Sequence, residues 1–593
     1  MSETFDAIVI GSGAGGSMAA RAFAKKGLRV LVLEKGENHY RSLESGSLDT
    51  TYSNDELKLG TRNLITPDPL LEPRSFRTSA ERVRDHVGDV NGLPSTVGGG
   101  LNHADWKARR LRPADFRLKE LLGEVDGASV VDWPISYDEL EPFYDAAERI
   151  VGVQGPAEIP VPFGPWRSRP YPMPPGVPQY VGRVLSNAAR VLGLHPFEAP
   201  TGITSRPYRD RPPCNDCGFD GGFGCPIGAK GTPAVTALRD ALLLRDASNL
   251  PLVTLRASSM AVRLVTAEVA GERRVTAVEY LDANGATPVL RTAEADVFVL
   301  AASPIESVRL ALQSDLDRSG WGNTSGLLGK NLMFHYQTLA IGVFAERLHP
   351  YRGRTITHML DDFAGPAELA DYATWPFPRG GTLELGGTQN VIDEGKNYQR
   401  GPQHRTLMRV SPLRNRLGAL TMQGEDLPQE GNFVDLDPEL TDVWGLRVPR
   451  VTYASHRFEL EAAAFWLPQI LGLLDAAGAV FAAPLGSDAP KGTLPAELEG
   501  ALGEIGALNV VPSSRHIMGV FRMGDDPAKS VTDRNGKFHD FENLYSGDGA
   551  VFPTSGGMNP SLTVMALSYR MACAAVGDGA DPVTVLHDID PDL

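Results

Sequence analysis

The first clear pattern of apolar and polar positions lies at the amino end of the chain. Ala7-Ile8-Val9-Ile10 is an unbroken apolar run, as in a strand buried on both faces. After a glycine-rich turn, small and apolar residues continue at helical spacing to about Lys26, where Gly27 is a natural stop. "LRVLVLE" then reads as a second buried strand, ending in Glu34. Far downstream, "FELEAAAFWLPQILGLLDAAG" is long enough for a helix and apolar on most sides, which predicts burial rather than a cofactor box. "SLTVMALSYRMA" reads as another helix, introduced by Asn559-Pro560-Ser561 in the order N-cap, N1, N2. "GPAEIPVPFGPWRSRPYPMPPGVPQ" holds too many prolines for regular helix or a central strand, and reads as a loop or surface arm. No internal repeat stands out.

The turn after the first strand carries chemistry. Gly11, Gly13 and Gly16 fall on G-x-G-x-x-G. In such a turn the first glycine makes the bend, the second lets the backbone approach a pyrophosphate, and the third lets helix and strand pack closely. The helix then aims its amino terminus at the phosphates. Glu34, about 20 positions on, suits a pair of ribose hydroxyls and disfavours a 2′-phosphate, leaving FAD or NAD. G-x-G-x-x-G alone is weak, but here strand, turn, helix, strand and acid all agree.

Composition narrows the partners. The 593 residues are 42% hydrophobic and 22% charged, enough for roughly four domain-sized units. The net charge is −16 and no basic block occurs, so nucleic acid and anionic membrane surfaces are poor partners. No run approaches the roughly 20 apolar residues of a membrane helix. "MSETFDAIVIGSG" has no charged segment followed by an apolar one, and four cysteines make no secreted disulfide scaffold. The expectation is a cytoplasmic protein, with export beside a partner subunit left open. The acidic end "HDIDPDL" reads as solvated.

Several further segments carry a resemblance. "STVGGGLNHADWKARRLRPADF" (95–116) resembles the glycine-rich signature of the glucose-methanol-choline (GMC) oxidoreductases, and "ADVFVLAASPIESVRLAL" (295–312) their second signature, a strand returning to the FAD sheet. The closing pattern of His, Arg-Met-Gly, Gly-Asp, Pro-Thr and Asn-Pro is matched by "HIMGVFRMG" and "NLYSGDGAVFPTSGGMNPSLTVMALSYRMA". "DWPISYDELEPFYDAAERIVGVQG" and "NFVDLDPELTDVWGLRVPRVTYASHRFE" look most like the sugar and sugar-acid dehydrogenase and pyranose oxidase branch. The similarity is patchy between these blocks but reaches both ends of the chain.

The resemblance implies FAD as cofactor, with Gly98, Gly99 and Asn102 against the flavin. His516, one of only twelve histidines and set in an apolar run, would be the general base that takes the substrate hydroxyl proton as hydride leaves carbon. Taken alone, such a histidine is usually a satisfied core residue. Asn559 would be its partner, offering an amide to the substrate oxygen, while Pro560 opens a helix whose dipole faces the flavin pyrimidine ring. Asp548 would approach the FAD chain; its bland alternative is a turn between two glycines. Met518, Val520 and Phe521 replace the small residues usual after the histidine, which puts the pocket's shape in doubt. His103 stands four residues after Gly99, where pyranose oxidases carry FAD covalently, though Asn102-His103-Ala104 departs from their Thr-His-Trp. Covalent attachment and packing by the dimethylbenzene edge both stay open.

Cys214, Cys217 and Cys225 are spaced C-x2-C-x7-C before Pro226. Three thiolates could hold an iron–sulfur cluster. The alternative is a tight glycine-rich loop with reduced thiols or one disulfide, and the distance of Cys573 speaks against four-thiolate zinc. The resulting expectation is an α/β chain, α+β overall. A Rossmann-like FAD-binding domain (1–120, 210–340, 505–593) is interleaved with a substrate domain on an antiparallel sheet (341–504), with a connecting arm over 121–209. Its expected work is to take hydride from a secondary alcohol of a sugar, glycoside or polyol, with a quinone, an electron-acceptor protein or a small subunit as acceptor. An oxygen-using oxidase, an FAD-containing lyase and an inert flavin-holding subunit are the alternatives.

Overall fold

Ala7–Ile10 is the middle strand of a five-stranded parallel sheet, in the order Leu544–Ser546, Val297–Leu300, Ala7–Ile10, Val30–Leu33, Val253–Arg256. This is a computed structural model that describes residues 3–52, 68–159, 163–316, 322–365, 379–387, 401–411, 413–484 and 514–593. The alternation of strand side chains explains the unbroken apolar run. Ala7 and Val9 point into one core with Val30 and Val32, whereas Ile8 and Ile10 point into a second core with Leu31 and Leu33.

The first core is roofed by three helices, Ala14–Lys25, Tyr137–Val151 and Ser561–Ala575. Phe23, Phe143 and Leu562 within it are fully buried. Each such side chain contributes about 1.5–3 kcal/mol of transfer free energy. The first helix ends as the sequence predicts, with Gly27 in the left-handed region at φ +91°. Tyr137–Val151 starts at a capping box between Ser136 and Glu139. It is tied to helix Ser561–Ala575 by a Tyr144–Thr563 hydroxyl contact of 2.8 Å. A sheet on the other side of the molecule pairs Glu3–Thr4 with Val289–Glu294, then Glu272–Asp282 and Ser259–Val269.

The third large element is a six-stranded antiparallel sheet: Ala479–Pro484, Tyr336–Phe344, Leu417–Gly424, Gly381–Gly386, His358–Leu360, Phe197–Glu198. Two of its strands cross the division drawn from sequence: Tyr336–Phe344 spans position 340, and Phe197–Glu198 comes from the connecting segment. Helix Arg457–Ala476 backs the sheet, packing Trp466, Ile470, Leu473 and Leu474 on Leu383, Leu385, Leu420 and Met422. The even alternation then turns Glu384, Thr421 and Gln423 to the opposite face.

That helix corrects one expectation. Its sequence is apolar on most sides, but only Glu459, Ala462, Trp466, Ile470, Leu473 and Leu474 are buried, a single stripe, and Leu460 is 49% exposed. The proline-rich segment holds no helix or strand among its described residues. Its Arg167 guanidinium lies 3.6 Å from the centre of the half-buried Tyr171 ring.

Candidate active site

A cavity of about 630 Å³ lies between the carboxyl ends of the parallel strands and the underside of the six-stranded sheet. Its floor is backbone. Gly11 holds φ +106°, and a Cβ there would meet the Ala301 carbonyl oxygen at 2.2 Å. A Cβ on Gly16 would meet the Gly11 carbonyl oxygen at 1.9 Å, so this glycine packs helix on strand. Gly13 differs: a Cβ there would touch only Gly99 Cα at 3.9 Å and would project into the cavity. Gly15, outside the three-glycine motif, is as constrained as Gly16, because its Cβ would lie 1.5 Å from the Gly547 carbonyl oxygen.

Helices Ala14–Lys25, Pro304–Gln313 and Ser561–Ala575 all open on this cavity, with Gly13, Ser303 and Pro560 among its walls. Three positive dipole ends favour a ligand carrying negative charge. Glu34 also lines the cavity; its carboxylate accepts from Ser12 N (3.1 Å), Ser12 Oγ (2.6 Å) and Gly36 N (2.9 Å), and burial pushes its pKa up. The Gly98 amide donates to the same Ser12 hydroxyl at 3.0 Å, joining the second glycine segment to the first.

Gly98 and Gly99 are both left-handed, at φ +91° and +62°, and a Cβ on Gly99 would press on Gly13 Cα at 3.0 Å. Asn102 does not line the cavity: its amide donates to the Val97 carbonyl (2.7 Å) and accepts from Tyr40 OH (2.9 Å), bracing the turn. His103 does line it. The imidazole is 6% exposed, neither ring nitrogen has a hydrogen-bond partner, and burial with nearby Lys230 pushes its pKa down to about 3. Asp548 lines the cavity beside Ser303. It accepts from Ser307 Oγ (2.7 Å) and Ala550 N (2.9 Å), and burial raises it to about 6.

His516 and Asn559 meet at the far end. His516 Nε2 lies 3.4 Å from Asn559 Nδ2, and its Nδ1 lies 2.8 Å from Nδ1 of His335. Burial pushes the His516 pKa down to about 4, with Asp105 opposing, so the ring is neutral at neutral pH. Asn559 makes no capping bond; helix Ser561–Ala575 starts after Pro560, and Asn559 Oδ1 has no partner. Met518, Val520 and Phe521 do not reach the cavity, because all three side chains are buried in the two cores beside the parallel sheet.

The roof supplies residues that the sequence did not single out. Gln337 Nε2 donates to Gln423 Oε1 (3.1 Å), and Gln423 Nε2 donates to Glu384 Oε2 (3.1 Å), leaving Glu384 Oε1 without a partner. Burial and the nearby Asp105 raise the Glu384 pKa, and the Asn559 amide opposes this. His335, one residue before the strand that carries Gln337, lies in "NLMFHYQ", an apolar run with one imidazole. That is the signal that singled out His516, and it applied here equally.

The cysteine loop does not form a ligand set. Among the described residues no group of three or more His, Cys, Asp or Glu side chains is placed to hold a metal ion. No disulfide joins Cys214, Cys217, Cys225 and Cys573.

Comparison with known proteins agrees with this geometry. The FAD binding domain model matches residues 6–59 and the GMC oxidoreductase model residues 428–568. Paromamine 6'-oxidase of Streptomyces fradiae is 30% identical, over 97% of this chain and 92% of that protein. The fructose dehydrogenase large subunit of Gluconobacter japonicus is 28% identical, over 97% and 98% of the two chains. A formate oxidase structure from Aspergillus oryzae RIB40 superposes with a TM-score of 0.63 at 14% identity, over 98% of this chain and all of that one, and shows the same fold. The glycine floor, the converging helix ends and the room above Gly13 suit FAD. This chain belongs to the GMC family and is an FAD-dependent oxidoreductase.

Proposed function

We propose that the protein oxidises a CH–OH group of a sugar, glycoside, polyol or related alcohol, with His516 as general base and Asn559 as its partner. The observation that carries this reading is the His516 Nε2–Asn559 Nδ2 pair, set in the same cavity as the glycine floor. Bound FAD supplies the hydride acceptor. Neutral His516 takes the substrate hydroxyl proton at Nε2, and the Asn559 amide holds the substrate oxygen. Glu384 Oε1, free and buried, accepts from a further donor on the substrate, a hydroxyl or an amine. Gly11, Gly13, Gly16, Gly98 and Gly99 shape the dinucleotide cradle, with Glu34, Asp548 and Pro560 as cofactor contacts and Asn102 bracing it. His103, lining the cavity with neither ring nitrogen partnered, would pack against the flavin edge without a covalent bond, so acid denaturation should leave yellow flavin in solution; colour retained on the precipitated protein contradicts this.

Within this reading 1–120, 210–335 and 505–593 hold the cofactor, the strands from Tyr336 on to Pro484 with Phe197–Glu198 roof it, and the rest of 121–209 connects them. Electrons pass to a quinone, an acceptor protein or a small subunit; the name of the fructose dehydrogenase relative, a large subunit, supports the last. The setting within this reading is cytoplasmic, and among the described residues no helix is long and apolar enough to cross a membrane. A second reading, oxygen as acceptor, is supported by the relative named as an oxidase.

The test is anaerobic mixing of the holoprotein with sugars, glycosides, polyols and simple alcohols, followed by air. Bleaching of the flavin band is expected, with slow recolouring in air; fast recolouring selects the oxidase reading. No bleaching by any alcohol overturns the proposal.

A further inference from the structure

Four groups form a line from the protein interior to the cavity: the Ser555 carbonyl, His335, His516 and Asn559. His335 Nε2 lies 3.3 Å from Ser555 O, His335 Nδ1 lies 2.8 Å from His516 Nδ1, and His516 Nε2 lies 3.4 Å from Asn559 Nδ2. The two imidazoles stand edge to face, 80° apart with centroids separated by 5.0 Å. Neither tautomer is visible directly, but the chain of partners leaves one solution.

A carbonyl oxygen only accepts. His335 therefore carries its proton on Nε2, and its Nδ1 is a bare acceptor. A charged His335 is disfavoured, because the ring is 2% exposed and its recorded partners are a carbonyl and another imidazole. Two bare nitrogens repel at hydrogen-bond distance, so the proton between the rings belongs to His516 Nδ1. His516 Nε2 is then a lone pair, which matches the amide nitrogen, a donor, placed beside it.

We propose that His335 is a positioning residue that locks His516 in its Nδ1–H tautomer, so that Nε2 faces the cavity as a proton acceptor. The opposite tautomer would point an N–H at the substrate hydroxyl and could not take its proton. A carboxylate in the place of His335 would fix the same tautomer but would also favour the imidazolium. An imidazole fixes it without adding charge, which keeps the base neutral in a buried site. The catalytic consequence rests on His516 being the base; the tautomer itself does not.

Histidine-labelled ¹⁵N NMR of the holoprotein reads the tautomer, with the His516 signals assigned from their loss in His516→Ala. The expected result is a protonated Nδ1 and a bare Nε2 in the wild type, retained in His335→Asn, whose Oδ1 can accept, and lost in His335→Phe. A protonated Nε2 in the wild type, or an unchanged tautomer in His335→Phe, overturns the proposal. In anaerobic flavin reduction, His335→Phe should slow the saturated rate by about 10²-fold with KM little changed, and His335→Asn should recover most of it. A fixed wild-type tautomer in a protein that no alcohol reduces would sink the alcohol-oxidation reading and leave the lock standing. Normal reduction by His335→Phe would sink the lock and leave that reading standing.

Discussion

In the floor of the cavity the decisive contacts are made by backbone, whereas in the roof they are made by side chains that stand on strands. The floor excludes Cβ atoms at Gly11, Gly15 and Gly16 and leaves the space above Gly13 open. The roof presents Gln337, Gln423 and Glu384, linked so that every amide donates toward the carboxylate. A backbone site is rigid and recognises what all dinucleotides share. A side-chain site can change one residue at a time without disturbing the sheet, because Leu383, Leu385, Leu420 and Met422 hold the other face. Under the proposed function, cofactor binding and substrate choice would fall to opposite walls.

The difference can be broken at either wall. Gly15→Val, whose Cβ would run into the Gly547 carbonyl, should yield no folded protein. Gly13→Val should fold, with native circular dichroism and no flavin, because its side chain enters only the cavity; a fully flavinated Gly13→Val would remove the pyrophosphate assignment. In the roof, Glu384→Gln should keep flavin and fold while raising KM by about 10-fold, the worth of one hydrogen bond in a buried site. An unchanged KM would place the substrate elsewhere.

The smallest effect concerns the support of the roof. Asp426 accepts from Tyr453 OH (2.9 Å) and Glu459 from Leu427 N (2.6 Å); burial pushes both carboxyl pKa values up, with Glu425 adding to the rise at Asp426 and Asp426 adding to the rise at Glu459. The unfolded chain releases these protons above about pH 4, while the folded chain retains them, so stability falls as pH rises through the elevated folded values. Thermal unfolding between about pH 5 and 9 should show this fall, and Glu459→Gln should flatten it by about 1–3 kcal/mol. Parallel profiles for the two proteins would show that the pair does not titrate as described.

The two walls were also unequally legible in the sequence. A backbone approaching a dinucleotide needs glycine at fixed spacing, so Gly11, Gly13 and Gly16 declare themselves between two apolar strands. Gly15 was passed over because its reason is a contact with Gly547, more than 500 positions away. Glu384 sits in "TLELG", an alternation that any half-buried strand shows, and only the sheet order brings it to Gln423 and Asn559. Helix Arg457–Ala476 misled for a related reason: apolar composition on all sides does not reveal which stripe meets the sheet.

The most direct test of the account is rapid anaerobic mixing of His516→Ala with an alcohol that bleaches the wild-type flavin. The account predicts a flavin-loaded variant whose reduction is slower by about 10²–10⁴-fold. Reduction at the wild-type rate would take His516 out of the chemistry and with it the role assigned to this end of the cavity.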